Sequence, residues 1–227
     1  MKSTAEHWNK IFVRTEDTQL GWYEKEATTT LELLGKIPAW ESSTVFLPGA
    51  GTSGLIDDLL AKGARLVLND ISGAALDKVR ERLAGRNDGV EWLCQDIARL
   101  FPPDIPMVDI WVDRAVLHFL TDEESIKGYF RNLNAVLKPG GHALFAEFST
   151  SGAKKCAGLT LHRYSVDELT DRLGTSFELL SSFEHTYFNP NGDPRPYIYA
   201  LYKTINGADF SDASPLADGR SGRSLCW

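Results

Sequence analysis

Three glycines follow a short apolar segment at a spacing that could bind a nucleotide-like ligand. Gly49, Gly51 and Gly54 form a G-x-G-x-x-G pattern between the apolar residues 45–47 and a helical pattern that starts at 55. Because glycine has no Cβ, the first two can turn sharply and let a ligand lie against bare backbone, and the third lets the helix pack close to the strand. The same spacing occurs in turns that bind nothing, so the pattern alone is a weak signal.

A downstream carboxylate strengthens this interpretation. The apolar segment 65–69 ends in Asp70, and nucleoside-binding βαβ units carry an acidic residue about twenty positions after their glycines. At the tip of the second strand, this carboxylate can accept hydrogen bonds from ribose hydroxyls. The glycine turn and Asp70 together predict a nucleoside-containing cofactor, and they leave open which one.

Two polar side chains that could take part in a reaction follow the fourth apolar segment. Asp113 and Arg114 come directly after residues 107–112, and open α/β sheets place reacting groups at the carboxyl ends of strands. A structural ion pair at the end of the strand is an alternative. His118, in an apolar stretch, is more typical of a core or capping histidine than of a catalyst.

A second group of candidate residues lies at the end of the segment 154–164, between the fifth strand and the last helix. His162, Arg163 and Tyr164 offer a base, a fixed positive charge and an aromatic wall. Such residues are also ordinary surface or capping groups.

The elements that must position these residues alternate along the chain. Apolar strand patterns at 45–47, 65–70, 90–94, 107–112 and 142–148 are separated by helical patterns, which predicts right-handed βαβ units on a parallel sheet. The last two strand patterns, 177–184 and 197–202, are joined by a proline-rich turn and should form an antiparallel pair at the sheet edge. We predict a single α/β, Rossmann-like, doubly wound and mostly parallel seven-stranded sheet with an antiparallel C-terminal strand.

The two ends of the chain differ from this alternating middle. Residues 4–13 predict an amphipathic helix, and the aromatic pair Trp22 and Tyr23 follows outside any clear period. These aromatics are either plain packing or part of a lid, and we assign 1–40 as an N-terminal helical lid segment of a domain that spans 1–205. Residues 206–227 are rich in Gly, Ser, Asp and Ala, which predicts a disordered tail.

The composition and charge of the chain limit the kinds of molecule that it is expected to bind. The formal charge of −7 and the lack of a Lys/Arg block argue against nucleic-acid or anionic-membrane surfaces and favour a small molecule or another protein. No apolar run is long enough for a signal core or a membrane span, so we expect a soluble, cytoplasmic protein. Three widely spaced cysteines support neither a disulfide framework nor a metal site, and Cys94 is expected to be a core thiol.

Four motifs at matching separations make the chain resemble a class I S-adenosylmethionine-dependent methyltransferase. They are the glycine turn, Asp70, the Gln-Asp pair at 95–96 after the third strand, and Leu-Lys-Pro-Gly-Gly at 137–141 before the fifth. The resemblance covers about residues 6 to 203. An NAD(P)-dependent oxidoreductase shares the glycines and Asp70 but explains neither of the other two motifs nor the antiparallel pair.

The glycine turn departs from the usual family pattern. Leu47 stands where the family carries an acidic residue, so one contact near the methionine amino group must come from elsewhere. Pro48 resembles the turn of the thiopurine, halide and thiol methyltransferases, and Trp8, Trp22 and residues 113–117 are similar to that group too. Parts of the pattern also occur in methyltransferases that modify lysine in proteins.

The resemblance implies a role for each site residue. Gly49 and Gly51 would face the amino-acid part of S-adenosylmethionine, Asp70 the ribose, and Asp96 with the backbone of Ile97 the adenine. The expected cofactor-binding residues are Trp8, Trp22, Pro48, Gly49, Gly51, Asp70, Ile71, Asp96, Ile97 and Asp113. The expected catalytic residues are Asp113, Arg114 and His162.

The methyl transfer implied by the resemblance needs few reactive groups from the protein. A methyl group leaves a sulfonium by in-line displacement, so alignment and exclusion of water dominate. A thiol is a few per cent ionised at neutral pH, whereas an amine needs a base or a desolvated pocket. Because no strongly placed base stands out in the sequence, we expect a small-molecule acceptor with a thiol or similar soft nucleophile. Protein-lysine N-methylation is the first alternative and NAD(P)-dependent oxidation the second.

Overall fold

The computed structural model describes residues 3–205, in which seven strands form one sheet and two short strands form a separate hairpin. The strands are β1 (Thr44–Leu47), β2 (Arg65–Asp70), β3 (Val90–Cys94), β4 (Val108–Arg114), β5 (Leu137–Phe148), β6 (Lys155–Cys156), β7 (Leu159–Thr160), β8 (Phe177–Phe188) and β9 (Pro194–Thr204). The helices are α1 (Ala5–Arg14), α2 (Thr28–Leu34), α3 (Leu55–Lys62), α4 (Gly73–Arg82), α5 (Glu123–Val136) and α6 (Val166–Leu173).

The strand order in the large sheet is β3-β2-β1-β4-β5-β9-β8. The first five strands are parallel, and β9 is antiparallel to both β5 and β8, so it is the strand that runs against the rest. This confirms the predicted fold class. The order reverses between β1 and β4, and open α/β sheets bind ligands beside such a point, at the carboxyl ends of the strands.

Separate apolar cores cover the two faces of the sheet. Side chains alternate along a strand, so Val45 and Leu47 of β1 join the core with α2, α3 and α4, whereas Phe46 joins the core with α5 and α6. Phe46 stacks on Trp111 of β4, with 4.4 Å between ring centroids. A third cluster attaches α1 to α4 and to the β6–β7 hairpin.

Several elements differ in detail from the prediction. The segment between the fifth strand and the last helix contains the β6–β7 hairpin, whose turn residues Ala157 and Gly158 have φ of 50° and 76° and therefore match a two-residue primed turn. The prediction that Cys94 is a core thiol was wrong: its side chain is exposed because β3 is an edge strand of the sheet. The predicted disordered tail, 206–227, lies outside the described residues. No helix within 3–205 has the length and hydropathy to cross a bilayer.

Candidate active site

A cavity of about 520 Å³ opens at the carboxyl ends of β1, β2 and β4. It lies at the point where the strand order reverses, beneath the N-terminal segment. Its lining includes Trp8, Phe12, Trp22, Pro48, Gly49, Gly51, Asp70, Ile71, Asp96, Ile97, Arg114, Val116, Phe119, Leu159 and Thr160. Nine of the ten residues predicted to bind the cofactor therefore surround one hollow, and the tenth, Asp113, does not line it.

The glycine turn presents bare backbone to this cavity. Gly49 and Gly51 have φ of 49° and 54°, a left-handed conformation that glycine adopts most readily. A Cβ at Gly49 would lie 2.5 Å from Cγ2 of Val116, so the turn and the chain after β4 fit closely only without a side chain there. For Gly54 the prediction of close helix packing was wrong, since an added Cβ would meet nothing within 4 Å.

The Asp70 carboxylate holds the glycine turn in place through hydrogen bonds to backbone N–H groups. Its Oδ2 accepts a hydrogen bond from the Gly51 N–H at 2.8 Å, and its Oδ1 accepts one from the Ser72 N–H at 2.7 Å. Each carboxylate oxygen has a second lone pair, so both can still accept from a ligand's hydroxyls. Burial raises the pKa of Asp70 to about 6, although the N–H groups of Ser72 and Gly51 oppose the shift.

The loop after β3 forms another part of the lining. Oδ1 of Asp96 accepts the Ala98 N–H at 2.9 Å, and Ile97 is buried. Asn132 of α5 holds this loop by donating from Nδ2 to the carbonyls of Ile97 and Arg99 at 2.7 and 2.6 Å. Asn132 was not singled out in the sequence; a polar residue among the buried positions of a helix is the signal that could have found it.

The N-terminal segment closes over the cavity. Trp8 contacts Trp22 and Phe119, with ring centroids 5.6 and 4.8 Å apart, and Phe12 lies against Gly51. Asn9 anchors α1 to the start of α4, since its Oδ1 accepts from the Ser72 hydroxyl at 2.7 Å. The aromatic N-terminal residues are thus part of the cavity wall.

Arg114 ties this segment to the sheet. Its Nη1 donates to the carbonyl of Trp22 at 2.9 Å, and its Nη2 lies 2.8 Å from Oε1 of Glu24. The Tyr187 hydroxyl of β8 donates to the carbonyl of Tyr23, and the Tyr187 ring lies under the guanidinium. Arg114 lines the cavity and at the same time fastens the segment that covers it.

Asp113 occupies a different environment from the one predicted. Its Oδ1 accepts the Val116 N–H, and its Oδ2 accepts the Leu117 N–H and the Tyr129 hydroxyl, the last at 2.5 Å. The side chain is fully buried, and burial, followed by the neighbouring Glu147 carboxyl, raises its pKa well above the ordinary value. The geometry gives Asp113 the task of shaping the turn after β4 and does not support a contact with cofactor or acceptor.

The predicted acceptor segment contributes residues other than those singled out. Leu159 and Thr160 of β7 line the cavity, whereas His162 and Arg163 do not. Nε2 of His162 lies 2.8 Å from Oε1 of Glu168 on α6, and Arg163 donates to the carbonyls of Thr150 and Gly152. Phe119 and Leu159 carried no distinguishing pattern in the sequence, because an apolar lining residue looks like any core residue.

Comparisons with known proteins agree with this geometry. A family model described as a methyltransferase domain matches residues 48–143, from the glycine turn into β5. A malonyl-[acyl-carrier protein] O-methyltransferase from Prosthecochloris aestuarii is 25% identical over 219 residues, which cover 88% of this chain and 80% of that protein. A demethylmenaquinone methyltransferase from Clavibacter sepedonicus is 32% identical over 139 residues, which cover 55% of this chain and 54% of that protein.

Solved structures share the fold. The N-methyltransferase NodS from Bradyrhizobium japonicum, in complex with S-adenosylhomocysteine, superposes with a TM-score of 0.69 at 16% identity, covering 88% of this chain and 97% of that one. A 1,6-didemethyltoxoflavin-N1-methyltransferase from Burkholderia thailandensis gives a TM-score of 0.62 at 15% identity, covering 89% and 84%. The structures share the Rossmann-like fold, and the family model together with the curated relatives supports S-adenosylmethionine-dependent methyltransferase activity.

Proposed function

We propose that this enzyme methylates a small-molecule acceptor, and that the acceptor atom is a thiol or a similar soft nucleophile. The observation that carries the proposal is the composition of the acceptor wall, by which we mean Trp22, Arg114, Phe119, Leu159 and Thr160. This wall is apolar and aromatic, with one cation and no carboxylate. Such surroundings suit a neutral or anionic nucleophile better than a lysine ammonium group.

The residues that would hold S-adenosylmethionine fit its parts. We assign the amino-acid part to the bare backbone of Gly49 and Gly51, the ribose hydroxyls to Asp70, and the adenine to Asp96 and Ile97. Trp8, Trp22, Pro48 and Ile71 supply further lining of the same cavity. When bound, S-adenosylmethionine supplies an electrophilic methyl group on a sulfonium centre.

The protein contributes by aligning the acceptor with the methyl group and by excluding water from the site. The rings of Trp8, Trp22 and Phe119 and the side chain of Leu159 exclude water from the acceptor wall. Holding a nucleophile in line in such a site is worth on the order of 7 to 11 kcal/mol of the barrier in favourable cases. We assign residues 1–40 as the lid, with Arg114 as the group that keeps its second half in place.

One sequence feature and one chemical argument favour a thiol. The Pro48 turn resembles that of the thiopurine, halide and thiol methyltransferases. A thiol with a pKa near 8.5 also loses its proton to become a strong nucleophile far more readily than an ammonium group with a pKa near 10.4. The curated relatives do not indicate whether the acceptor atom is sulfur, oxygen or nitrogen. One is named an O-methyltransferase and another, from Arabidopsis thaliana, a phosphoethanolamine N-methyltransferase. The NAD(P)-dependent alternative is not retained, because the relatives and the family model are those of methyltransferases.

A labelled-methyl assay tests the acceptor. The purified protein is incubated with S-adenosyl-[methyl-³H]methionine and, in parallel, benzyl mercaptan, 4-nitrothiophenol, phenol, benzylamine or a cell lysate. We expect label on the two thiols. Label on lysate protein, with none on any small molecule, would instead support protein-lysine methylation, and label on phenol or benzylamine alone would move the acceptor to oxygen or nitrogen.

A further inference from the structure

Two buried carboxyls contact each other beside the turn that follows β4. The side chains of Asp113 and Glu147 have no solvent exposure, and they are hydrogen-bonded to each other across the neighbouring strands β4 and β5. Such a contact is a hydrogen bond only when one carboxyl carries a proton, because an ionised carboxylate is an acceptor and not a donor. The pair therefore holds at least one proton.

The same two carboxyls bind the backbone of the turn. Oδ1 and Oδ2 of Asp113 accept the N–H groups of Val116 and Leu117 at 3.0 and 3.1 Å. Oε2 of Glu147 accepts the next N–H, that of His118, at 3.1 Å. Three consecutive backbone N–H groups thus donate to side chains from two neighbouring strands. Because a buried N–H is costly to leave unpaired, the conformation of the turn depends on both carboxyls staying in place.

The turn itself forms part of the cavity. Arg114, Val116 and Phe119 line it, and Arg114 and Phe119 belong to the acceptor wall. Val116 also packs so closely on the glycine turn that a Cβ at Gly49 would lie 2.5 Å from its Cγ2. The buried carboxyls do not line the cavity, but they hold in place the residues that do.

The number of donors around each carboxyl indicates which one carries the proton. Asp113 accepts a third hydrogen bond, from the Tyr129 hydroxyl at 2.5 Å, and two or three donors favour the ionised form of a carboxyl. Oε2 of Glu147 lies 2.5 Å from Nδ1 of His118. The other oxygen, Oε1, is also buried and has no donor among residues 3–205. Oε1 is therefore the oxygen that has room for a proton.

The groups around the pair do not neutralise a second negative charge. Burial lowers the pKa of His118 to about 3, so its ring is neutral near pH 7. Arg114, next along β4, forms its ion pair with Glu24. Burial also raises the pKa of three phenols that face the pair, and these are Tyr129, Tyr164 and Tyr197. In these surroundings burial raises the pKa of Glu147 to about 8.

We propose that Glu147 is a positioning residue, which carries a proton on Oε1 and donates it in a hydrogen bond to the Asp113 carboxylate. The proton allows two carboxyls to lie in contact within an apolar core, since two negative charges there would repel each other. In this state the pair holds the turn that presents Val116 to the cofactor turn and Phe119 to the acceptor wall. The role does not depend on which acceptor atom is methylated.

The carbon-13 shifts of the two carboxyl carbons locate the proton in the wild-type protein. With glutamate and aspartate labelled at the side-chain carboxyl, we expect Glu147 to have the shift of a protonated acid at pH 7 and Asp113 that of a carboxylate. The spectra of Glu147→Gln and Asp113→Asn identify the two signals. A carboxylate shift for Glu147 at pH 7 would overturn the proposal, and so would a protonated Asp113.

Two substitutions of Glu147 test its effect on the turn. In Glu147→Gln, the amide nitrogen replaces the protonated oxygen as a donor and the amide oxygen still accepts from His118. Hydrogen exchange at 116–118 and affinity for S-adenosylhomocysteine should then stay within about threefold of wild type. Glu147→Ala removes donor and acceptor, so exchange at 116–118 should rise, and affinity fall, by at least about tenfold. Glu184→Gln, exposed on β8, is the matched control.

The same change at Asp113 should have the opposite result. Asp113→Asn places an NH₂ group where the carboxylate accepts hydrogen bonds, so exchange at 116–117 should rise by at least about tenfold. Equal losses in Glu147→Gln and Glu147→Ala would show that a donor at this position is not needed, and would overturn the proposal. If the wild-type protein does not bind S-adenosylhomocysteine, the assigned cofactor site is wrong, and the carboxyl shifts and amide exchange still decide the role of Glu147.

Discussion

Arg114 at the end of β4 forms an ion pair with Glu24 of the N-terminal segment, with 2.8 Å between Nη2 and Oε1 and side-chain exposures of 11% and 14%. Burial alone would lower the pKa of Arg114, but the charge of Glu24, together with Tyr199, Tyr197 and the hydrogen bond to Glu24, raises it above its ordinary value. A cation this well buried is stabilised only while its partner is present. Removal of one member of a buried pair is strongly destabilising, because the other charge remains without compensation.

We therefore expect Glu24→Gln to release the segment from the sheet. The variant should lose about 3 kcal/mol in free energy of unfolding, at the low end for a buried pair, and hydrogen exchange should rise at residues 20–27. Asp77→Asn is the matched control, because it breaks an exposed pair with Arg80 and should change stability by less than about 1 kcal/mol. Unchanged exchange at 20–27 would show that the ion pair does not hold the lid.

The fold was predictable because its signals are local. Each parallel strand is a short apolar run, each crossover helix has its own period, and caps such as Ser72 and Asp122 are visible in sequence. The cofactor turn was predictable for the same reason, since Gly49, Gly51 and Asp70 lie in one βαβ unit.

The acceptor wall was less predictable because it is assembled from distant segments. Arg114 was singled out as catalytic, but its partner Glu24 comes from a segment that has no periodic pattern. His118 has the surroundings of a core histidine, and its contact with Glu147 of β5 at 2.5 Å is not visible in the sequence. Contacts of this kind depend on how distant segments pack, which the sequence does not state.

Gly49 offers a sharp test of the cofactor turn. In Gly49→Ala, the new Cβ would meet Cγ2 of Val116 at 2.5 Å, and alanine must adopt a φ of 49°. We expect a loss of about 1–3 kcal/mol in stability and at least a tenfold weaker affinity for S-adenosylhomocysteine by calorimetry. Gly54→Ala, where the Cβ meets nothing within 4 Å, should behave like wild type, and an equal effect at both positions would contradict the assignment.

Asp70 should make cofactor binding pH-dependent. Its pKa is about 6 in the folded protein, and ribose hydroxyls are bound better by the ionised carboxylate. Affinity for S-adenosylhomocysteine should be constant above pH 7 and should weaken by up to about tenfold per pH unit below 6, since one proton is taken up. Asp70→Asn should bind weakly with no such slope; a slope that persists in the variant would assign the titration to another group.

Gly128 of α5 should tolerate no side chain, although alanine is usually about 1 kcal/mol better in a helix. A Cβ at 128 would lie 2.0 Å from the carbonyl oxygen of Ala98, in the loop that carries Asp96 and Ile97. We expect Gly128→Ala to lose about 1–3 kcal/mol through overpacking and to weaken cofactor binding by moving the loop. Gly35→Ala, whose Cβ would meet only ordinary contacts at 3.4 Å, is the control, and urea titration measures both.

The buried pair His118 and Glu147 should give the protein's stability a plateau in pH. Burial lowers the pKa of His118 from 6.5 to about 3, so its contribution is present above 6.5 and is lost as pH falls toward 3. Burial raises the pKa of Glu147 from 4.5 to about 8, so its contribution is present below 4.5 and is lost as pH rises toward 8. Between 4.5 and 6.5 the two slopes have opposite signs and cancel.

Urea unfolding at each pH measures this plateau as a difference. The wild type is compared with the His118→Gln/Glu147→Gln double variant, so that the other titrating groups largely cancel. The difference in free energy of unfolding should be flat from pH 4.5 to 6.5 and should fall by about 2 kcal/mol by pH 3 and again by pH 8, at about 1.4 kcal/mol per unit. A difference that stays level from pH 6.5 to 8 would mean that Glu147 is ionised well below 8, because only a carboxyl that stays protonated in the folded state loses stability there.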